Sequence, residues 1–306
     1  MATMRILAID GGGIRGYFSA YLLERIQDEL AVDLTKTFDL ICGTSTGAII
    51  AASLAIRYPL KDVLKLYEDN GRHIFSKTRG SWFGLMRARY DIERLRTELD
   101  TAFGDRTLSE TDTRLLIPAT DIGNAQVHVF KSSYSVDFVR DRQVRIADAV
   151  LASCAAPTYF KPAYVDPYLL ADGGLWANNP AMVGYIEAIT RLGAQPGDVK
   201  VLSLGTGTSN QYFRVRDKNR LWGVATGWGI RGLVDLLPNL QSKNTHNMLG
   251  IMLPANNYVR LNFEREQKLS LDDIESLPEL RSVADRVFAE RSGAIRLLLG
   301  KEGHAQ

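Results

Sequence analysis

The chain has 306 residues, of which 45% are apolar, so it contains enough apolar material to bury a large core. Its 37 basic and 35 acidic residues leave a net charge of +2, which lacks the strong basic excess expected of a protein that binds DNA or RNA polymers. Two cysteines, Cys42 and Cys154, are too few for a disulfide framework and predict reduced thiols in a cytoplasmic protein. The sequence contains no run of about 18 apolar residues, which is the length that would predict a membrane-spanning helix.

The first predicted element is an apolar strand at residues 5–10, followed by a glycine-rich loop and a helix. Residues 11–13 are all glycine, and Gly16 completes a G-x-G-x-x-G pattern. A dinucleotide site with this pattern needs a second strand that ends in an acid about 20 residues later, and residues 29–36 are too polar for one. Adjacent glycines also leave backbone amides uncovered, which suits an oxyanion. The loop therefore favours anion binding over dinucleotide binding.

The second predicted strand, at residues 38–42, leads directly into a G-x-S-x-G pattern made by Gly43, Ser45 and Gly47. An apolar helix follows at residues 48–55, and a strand that turns sharply into a helix at a serine is a nucleophile elbow. The two glycines let the backbones pass closely, and the helix N-terminus lies beneath any negative charge that develops at the serine. The pattern predicts that Ser45 is a nucleophile.

Apolar periodicity predicts the remaining elements. The helices are expected at residues 60–73, 91–103, 146–154, 182–192 and 280–299, and the strands at residues 114–120, 126–131, 168–172, 200–204 and 256–263. Strands that alternate with helices favour an α/β fold with a largely parallel central sheet. Since such sheets bind ligands beyond the carboxyl ends of their strands, the loops after residues 10, 42, 171 and 204 should meet at one edge. No internal boundary divides the chain, so residues 1–306 are expected to form one domain.

Two segments lack a clear periodic spacing of apolar residues. Residues 76–90 mix basic and aromatic side chains, which suits a membrane-surface segment or a substrate gate, and a solvated surface loop is the simpler interpretation. Residues 221–238 are rich in glycine and contain two tryptophans. They suit an apolar lip at the site, a subunit contact or an ordinary buried loop and helix.

A nucleophilic serine needs a proton acceptor. Among the four histidines His246 is the most plausible base, although it does not follow a buried strand. Asp172 stands at the end of a predicted strand, before two glycines, where partial desolvation raises the pKa of a carboxyl group toward neutrality. Asp10 and Asp121 occupy similar positions. On the residues alone, these four side chains remain alternatives for the base.

Three motifs, in this order along the chain, resemble those of the patatin-like phospholipases. They are the glycine loop at residues 10–16, the elbow at residues 43–47 and the Asp-Gly-Gly stretch at residues 172–174. The connecting residues agree as well, at residues 155–162, 177–180 and 202–207. The resemblance covers about residues 5–207, and residues 208–306 form a part of the domain that matches no pattern of the family.

The resemblance implies a modified α/β-hydrolase-like fold of three layers, with a central sheet between helices. It implies a catalytic dyad of Ser45 as nucleophile and Asp172 as base, with no histidine. No metal is expected, because no group of His, Cys and carboxylate residues has the spacing of metal ligands, and no cofactor is expected. It also implies an oxyanion hole in the glycine loop, formed by Gly11, Gly12 and Gly13 with Arg15 nearby.

The activity expected from this resemblance is hydrolysis of fatty-acyl esters in membrane phospholipids, with peripheral contact at the inner face of the cell membrane. Some bacterial members of the family are anti-phage effectors that a cyclic nucleotide switches on, so a cyclic oligonucleotide activator is a further expectation. A homo-oligomer is left open. Two alternatives are an esterase or thioesterase that acts on small acyl substrates, and a non-catalytic module that binds a nucleotide or lipid through the glycine loop.

Overall fold

The computed structural model describes residues 3–78, 87–209, 221, 230–265 and 270–301. Within these ranges the strands are β1 Met4–Ile9, β2 Leu40–Gly43, β3 Arg114–Asp121, β4 Gln126–Lys131, β5 Ala163–Val165, β6 Tyr168–Asp172, β7 Val199–Leu204, β8 Thr208–Ser209, β9 Tyr258–Leu261 and β10 Glu264–Arg265. The helices are α1 Gly16–Leu30, α2 Leu34–Thr37, α3 Thr46–Ala55, α4 Leu60–Ile74, α5 Ile92–Phe103, α6 Ile146–Ser153, α7 Gly174–Ala177, α8 Ala181–Thr190, α9 Ile230–Met252 and α10 Leu277–Leu299.

Eight of the described strands form one sheet in the order β5-β6-β3-β2-β1-β7-β9, with β4 paired to β3 off this path. The centre of the sheet is parallel, because β1 pairs in parallel with β2 and β7, β2 with β3, and β7 with β9. Antiparallel pairs occur where β4 and β6 join β3 and where β5 joins β6. The predicted α/β fold with a largely parallel sheet is confirmed.

The sheet lies between two apolar cores, because successive side chains of a strand point to opposite faces. In β1, Leu7 and Ile9 face a core that contains side chains of α1, α3, α4, α5, α6 and α10. Ile6 and Ala8 face a second core that contains side chains of α8 and α9. The result is three layers, as the resemblance implied, with every one of these four β1 side chains fully buried.

The direction of β6 differs from the expected arrangement. The sequence suggested that Asp172 ends a parallel strand, whereas β6 runs antiparallel to β3 and pairs only with its last three residues, Ala119–Asp121. Because β3 extends beyond the end of β2, β6 starts outside the sheet edge and runs back toward it. Asp172 therefore pairs with Ala119 and lies near the sheet edge where β2 ends. It reaches this edge on a strand that runs in the opposite direction to β2 and β3.

Helix α9 is the element that the sequence predicted least well. It continues the apolar part of residues 221–238 through the polar stretch 239–247 to Met252, and it contains Pro238. Proline and a polar stretch both weaken a helical pattern, which explains why the helix was not anticipated beyond residue 238. Residues 79–86 and 222–229 lie outside the described residues, and with them about half of the two segments, 76–90 and 221–238, that lacked a clear apolar period.

Candidate active site

The turn between β2 and α3 brings three backbone segments unusually close together. A Cβ atom on Gly43 would lie 2.1 Å from the carbonyl oxygen of Gly47, and one on Gly47 would lie 2.2 Å from the carbonyl oxygen of Ile9. Any side chain at either position would collide with backbone. The G-x-S-x-G pattern is thus a steric requirement of this turn, in which the elbow crosses the end of β1.

Ser45 lies between those two glycines and has an unusual backbone conformation, with φ of 54° and ψ of −124°. Few L-residues adopt positive φ, and such strain is stored where the surrounding structure enforces it. Two hydrogen bonds do so here: Ser153 Oγ accepts from the Ser45 amide at 2.9 Å and donates to the carbonyl of Pro118 at 2.6 Å. The hydroxyl of Ser45 lines a cavity, and α3 begins at the next residue.

Asp172 lines the same cavity and is 6% exposed. Burial raises the pKa of its carboxyl group to about 6, while hydrogen bonds from the Gly174 amide and the Ser45 hydroxyl act in the opposite direction. The Gly174 amide donates to Oδ1 at 2.6 Å and so holds the carboxyl group in place. A carboxylate with a pKa near neutrality in the same cavity as a serine suits a general base.

The backbone amides of the glycine loop before α1 differ in whether they have a hydrogen-bond acceptor. The Gly11 amide donates to the carbonyl of Asn178 at 3.0 Å, and the Ile14 amide donates to the carbonyl of Leu271 at 2.8 Å. Among the described residues, the amides of Gly12 and Gly13 have no acceptor. Gly13 has φ of 59°, which orients its amide in a way that other residues rarely allow.

The Arg15 side chain braces this loop. Its Nε donates to the carbonyl of Gly12 at 3.2 Å, and Nη1 donates to the carbonyl of Gly207 at 3.5 Å. Thr206 Oγ1 adds a bond to the carbonyl of Gly11 at 2.8 Å. These contacts join the loop after β1 to the loop after β7, and they occupy carbonyl groups while leaving the amides of Gly12 and Gly13 available.

The other carboxylates considered for the base have different partners. Asp10 forms a buried ion pair with Arg260, with Nη1 donating to Oδ1 at 2.7 Å, and also accepts from Ser242 Oγ. Asp121 accepts from the amides of Gly123 and Asn124 and so closes the turn after β3. Neither carboxylate is bonded to Ser45.

The described histidines lie away from Ser45. His246 pairs through Nδ1 with the hydroxyl of Tyr258 at 3.1 Å. His128 is buried between Phe130 and Tyr168, where burial lowers its pKa to about 4 and keeps the ring neutral. His73 is exposed at the last turn of α4.

The thiol of Cys154 lies beside Ser45 and lines the same cavity. Burial raises its pKa well above the usual value, so the thiol stays protonated and is a poor nucleophile. Cys42 is fully buried in the second core, and neither cysteine is in a disulfide.

The cavity that Ser45 and Asp172 share has a volume of about 120 Å³. Its polar end contains Ser45, Asp172 and the glycine loop. The rest of its lining is mainly apolar, and includes Ile49, Leu66, Ile74, Phe75, Leu95 and Phe160. An apolar pocket with a few convergent polar groups at one end suits a ligand with a long hydrocarbon part and one reactive polar group. Within the described ranges, no three His, Cys, Asp or Glu side chains form a cluster of possible metal ligands.

Several residues of the site were not singled out from the sequence. Ser153 orients Ser45, Arg260 and Ser242 hold Asp10, and Leu271 holds the glycine loop. Each acts on a segment more than 100 positions away in the chain, and Asp10 and Arg260 are 250 positions apart. No local pattern marks them, because their role depends on the packing of distant segments.

Comparison with protein families finds a match to the patatin-like phospholipase family over residues 7–185. A Pseudomonas aeruginosa protein described as a cGAMP-activated phospholipase is 32% identical over 311 residues, which covers 99% of this chain and 88% of the relative. An Escherichia coli protein described as a cUMP-AMP-activated phospholipase is 28% identical over 316 residues, covering 96% of this chain and 93% of the relative.

A solved structure gives a similar result for the fold. VipD from Legionella pneumophila aligns with a TM-score of 0.53 and 13% sequence identity, over 98% of this chain and 67% of VipD. At that identity the likeness concerns the fold alone. It agrees with the three-layer arrangement described above.

Proposed function

The chain belongs to the patatin-like phospholipase family and is a lipid acyl hydrolase, and we propose that it works through Ser45 as nucleophile and Asp172 as general base. The observation that carries this proposal is the pairing of a strained serine at a helix N-terminus with a buried aspartate whose pKa is about 6. Among the described residues no histidine lies at hydrogen-bonding distance from Ser45, so the carboxylate takes the role that imidazole has in a triad.

In the acylation step, Ser45 Oγ attacks the carbonyl carbon of the ester and its proton passes to Asp172. The carbon–oxygen bond to the lysolipid then breaks, and Asp172 returns the proton to the leaving oxygen. Water attacks the acyl-enzyme in the second step, with Asp172 again accepting the proton. The fatty acid leaves as that proton returns to Ser45 Oγ. The pKa of about 6 suits both directions of transfer near neutral pH.

The oxyanion is proposed to bind to the amides of Gly12 and Gly13. Both amides lack an acceptor among the described residues, whereas the Gly11 amide is used by Asn178. One such donor typically contributes about 3 kcal/mol to transition-state stabilisation. Arg15 then serves to brace the loop from its carbonyl side, and the N-terminus of α3 adds a favourable dipole under Ser45.

The proposed substrate is a membrane phospholipid, with an acyl chain in the apolar part of the cavity. No helix of the described residues is long and apolar enough to span a bilayer, so we propose contact from one side, at the inner face of the cell membrane. A row of exposed apolar side chains on α9 supports this contact. We call it the α9 stripe: Leu237, Leu240, Met248, Ile251 and Met252.

The α9 stripe belongs to a helix that also contributes to the wall of the cavity. Pro238 and Asn239 of the same helix line the cavity, and so does Leu175, which is 40% exposed. Positions 237, 240, 248, 251 and 252 fall within about one third of the helix circumference at 3.6 residues per turn. An exposed apolar surface on a helix that also lines an apolar cavity suits transfer of a lipid from a bilayer.

An activator is proposed from the relatives. Because proteins that align over almost the whole chain are described as activated by cGAMP or by cUMP-AMP, we propose that a cyclic oligonucleotide switches on this enzyme as an effector of anti-phage defence. Assembly into a homo-oligomer remains a prediction, and so does the single domain over residues 1–306. The packing of α10 on α1 and of β9 on β7 supports the latter.

The test is release of fatty acid from mixed phospholipid vesicles, with and without cGAMP and cUMP-AMP. Wild type is compared with Ser45→Ala and Asp172→Asn, and with Ser282→Ala and Asp198→Asn as matched controls outside the cavity. Both site variants should lose release, and both controls should keep it. Release by Ser45→Ala would refute the mechanism. Turnover of short soluble esters but not of vesicles would favour an esterase of small substrates, and absence of both, with no fluorophosphonate label on Ser45, would favour a binding module.

A further inference from the structure

A second cavity, of about 360 Å³, lies beside the cavity that Ser45 and Asp172 share, which we call the catalytic cavity. We call it the basic cavity, because Lys243, Arg260 and Arg291 line it together with one described acid, Glu264. Lys243 and Arg291 are exposed, and among the described residues neither has an ion-pair partner. Three cations and one described acid line this concave space, and the excess of positive charge makes it attractive to an anion.

Two rings in the basic cavity add a flat apolar surface. His246 and Tyr258 have ring centroids 5.5 Å apart and planes inclined by 38°. Burial lowers the pKa of His246, so its ring is neutral near pH 7. Neutral rings of this kind form platforms on which nucleobases stack, while cations beside them hold phosphate. Together, these features fit a ligand that carries both a base and a phosphodiester.

The basic cavity and the catalytic cavity share a wall. Thr208, Ser242 and Arg260 line both. On one side of this wall, the Arg260 side chain is 9% exposed and pairs with Asp10, and Arg260 Nη1 also donates to Ser203 Oγ at 2.7 Å. Asp10 directly precedes the glycine loop, so a change at Arg260 acts on the segment that presents the amides of Gly12 and Gly13.

We propose that the basic cavity binds a nucleotide phosphodiester, with Lys243 and Arg291 on the phosphate and the base against His246 and Tyr258. The bound anion competes with Asp10 for Arg260 and thereby adjusts the glycine loop. The role of this ligand as activator rests on the proposed function, whereas its binding does not. A phospholipid headgroup also contains a phosphodiester, but it has no base to stack on the rings.

The experiment measures binding of cGAMP and of cUMP-AMP by isothermal titration calorimetry, and separately of glycerophosphoglycerol as a headgroup probe. Wild type is compared with the double variant Lys243→Ala/Arg291→Ala. The matched control is Lys61→Ala/Arg286→Ala, which removes one exposed lysine and one exposed arginine outside both cavities. Hydrolysis of a short soluble ester, with and without nucleotide, is followed for each protein.

At least one nucleotide should bind wild type, and the double variant should bind it about tenfold more weakly or worse, since two charge-assisted contacts are lost. The control should match wild type, and hydrolysis without nucleotide should be equal in all three proteins. Equal affinity in the double variant, no binding of either nucleotide to wild type, or binding of glycerophosphoglycerol alone would each overturn the inference. Failure of the proposed function has a separate sign, which is soluble-ester hydrolysis that persists in Ser45→Ala.

Discussion

At the residue scale, the proposed chemistry depends on one carboxyl group that is buried in the same cavity as a serine. Burial disfavours the charged form of Asp172, and the bonds from Gly174 and Ser45 favour it. The balance leaves a pKa of about 6, which is high for an aspartate but low enough for the group to be ionised at neutral pH. The same group is therefore able both to accept and to return a proton.

The pH dependence of hydrolysis should report this pKa. Because Asp172 accepts a proton only when ionised, kcat/KM for a soluble ester should rise with pH through about 6 and then level off. The measurement is a profile of kcat/KM between about pH 4.5 and 8. Ser282→Ala should give the same profile as wild type. A flat profile across this range, or an activity that falls as pH rises through 6, would contradict the role of Asp172 as the base.

The strain at Ser45 should be visible in stability. At φ of 54°, a Cβ atom is unfavourable and glycine is not, so Ser45→Gly should be more stable than Ser45→Ala by about 1 kcal/mol, with both variants inactive. Urea unfolding measures the difference. Ser282, within α10, is the control, because glycine is less stable than alanine in a helix and the order should reverse. The same order at both positions would argue against strain at the elbow.

At the element scale, α9 has separate tasks on its different faces. Ser242 on its buried face contacts Asp10, Leu249 packs into the second core, and the α9 stripe remains exposed. Exposed apolar side chains that occur singly need no explanation, but five on one face of a helix form a patch. This arrangement makes α9 the element through which the catalytic cavity, the basic cavity and the membrane would meet.

Replacing one side chain of the α9 stripe should weaken membrane binding without affecting the chemistry. Ile251 is 86% exposed, and Ile251→Asp should lower co-sedimentation with phospholipid vesicles several-fold, because a carboxylate resists transfer to the acyl region. Val136, 83% exposed in a loop after β4, gives the matched variant Val136→Asp, which should bind as wild type does. Hydrolysis of a soluble ester should be unchanged in both.

Two results would count against this role of the stripe. One is equal vesicle binding by the Ile251→Asp and Val136→Asp variants. The other is a fall in oligomeric mass of Ile251→Asp by light scattering, with vesicle binding unchanged, which would identify the α9 stripe as a contact between copies of the chain.

At the scale of the whole molecule, the ion pair between Asp10 and Arg260 connects the two ends of the chain. It joins the end of β1 to β9, and Ser242 of α9 bonds to both partners. Both charged side chains are at least nine-tenths buried. A buried pair adds little net stability relative to apolar residues of similar size, yet loss of one partner leaves a charge without compensation. The pair therefore makes the glycine loop dependent on the C-terminal third of the chain.

Removal of one partner should destabilise the whole fold. Arg260→Leu should lower the free energy of unfolding by about 3 to 5 kcal/mol, since Asp10 would remain buried and unpaired. Adding Asp10→Asn to this variant should recover part of the loss, and urea unfolding of the four proteins in the cycle measures the coupling. The exposed pair Asp62–Lys65 provides the control, where Lys65→Leu should have little effect. Equal effects at the two pairs would contradict a structural role for Arg260.

Much of this protein was readable from its sequence, because the features concerned are local. The elbow needs glycine at positions 43 and 47, since backbone passes within van der Waals distance of each. The apolar periods of the strands and helices are clear, and every element expected between residues 5 and 204 is present within a few residues of its predicted bounds. The three layers were expected from the family resemblance. Local geometry restricts residue type directly, so it leaves a pattern in the sequence.

What the tertiary structure decided concerns the meeting of distant segments. It showed that Asp172 arrives on an antiparallel strand, that the Gly11 amide is used by Asn178, and that Asp10 pairs with Arg260. It also extended α9 to residue 252 and placed the basic cavity against the catalytic one. Contacts over 100 or more positions depend on how the layers pack, and many residue types satisfy them, so no spacing along the chain records them.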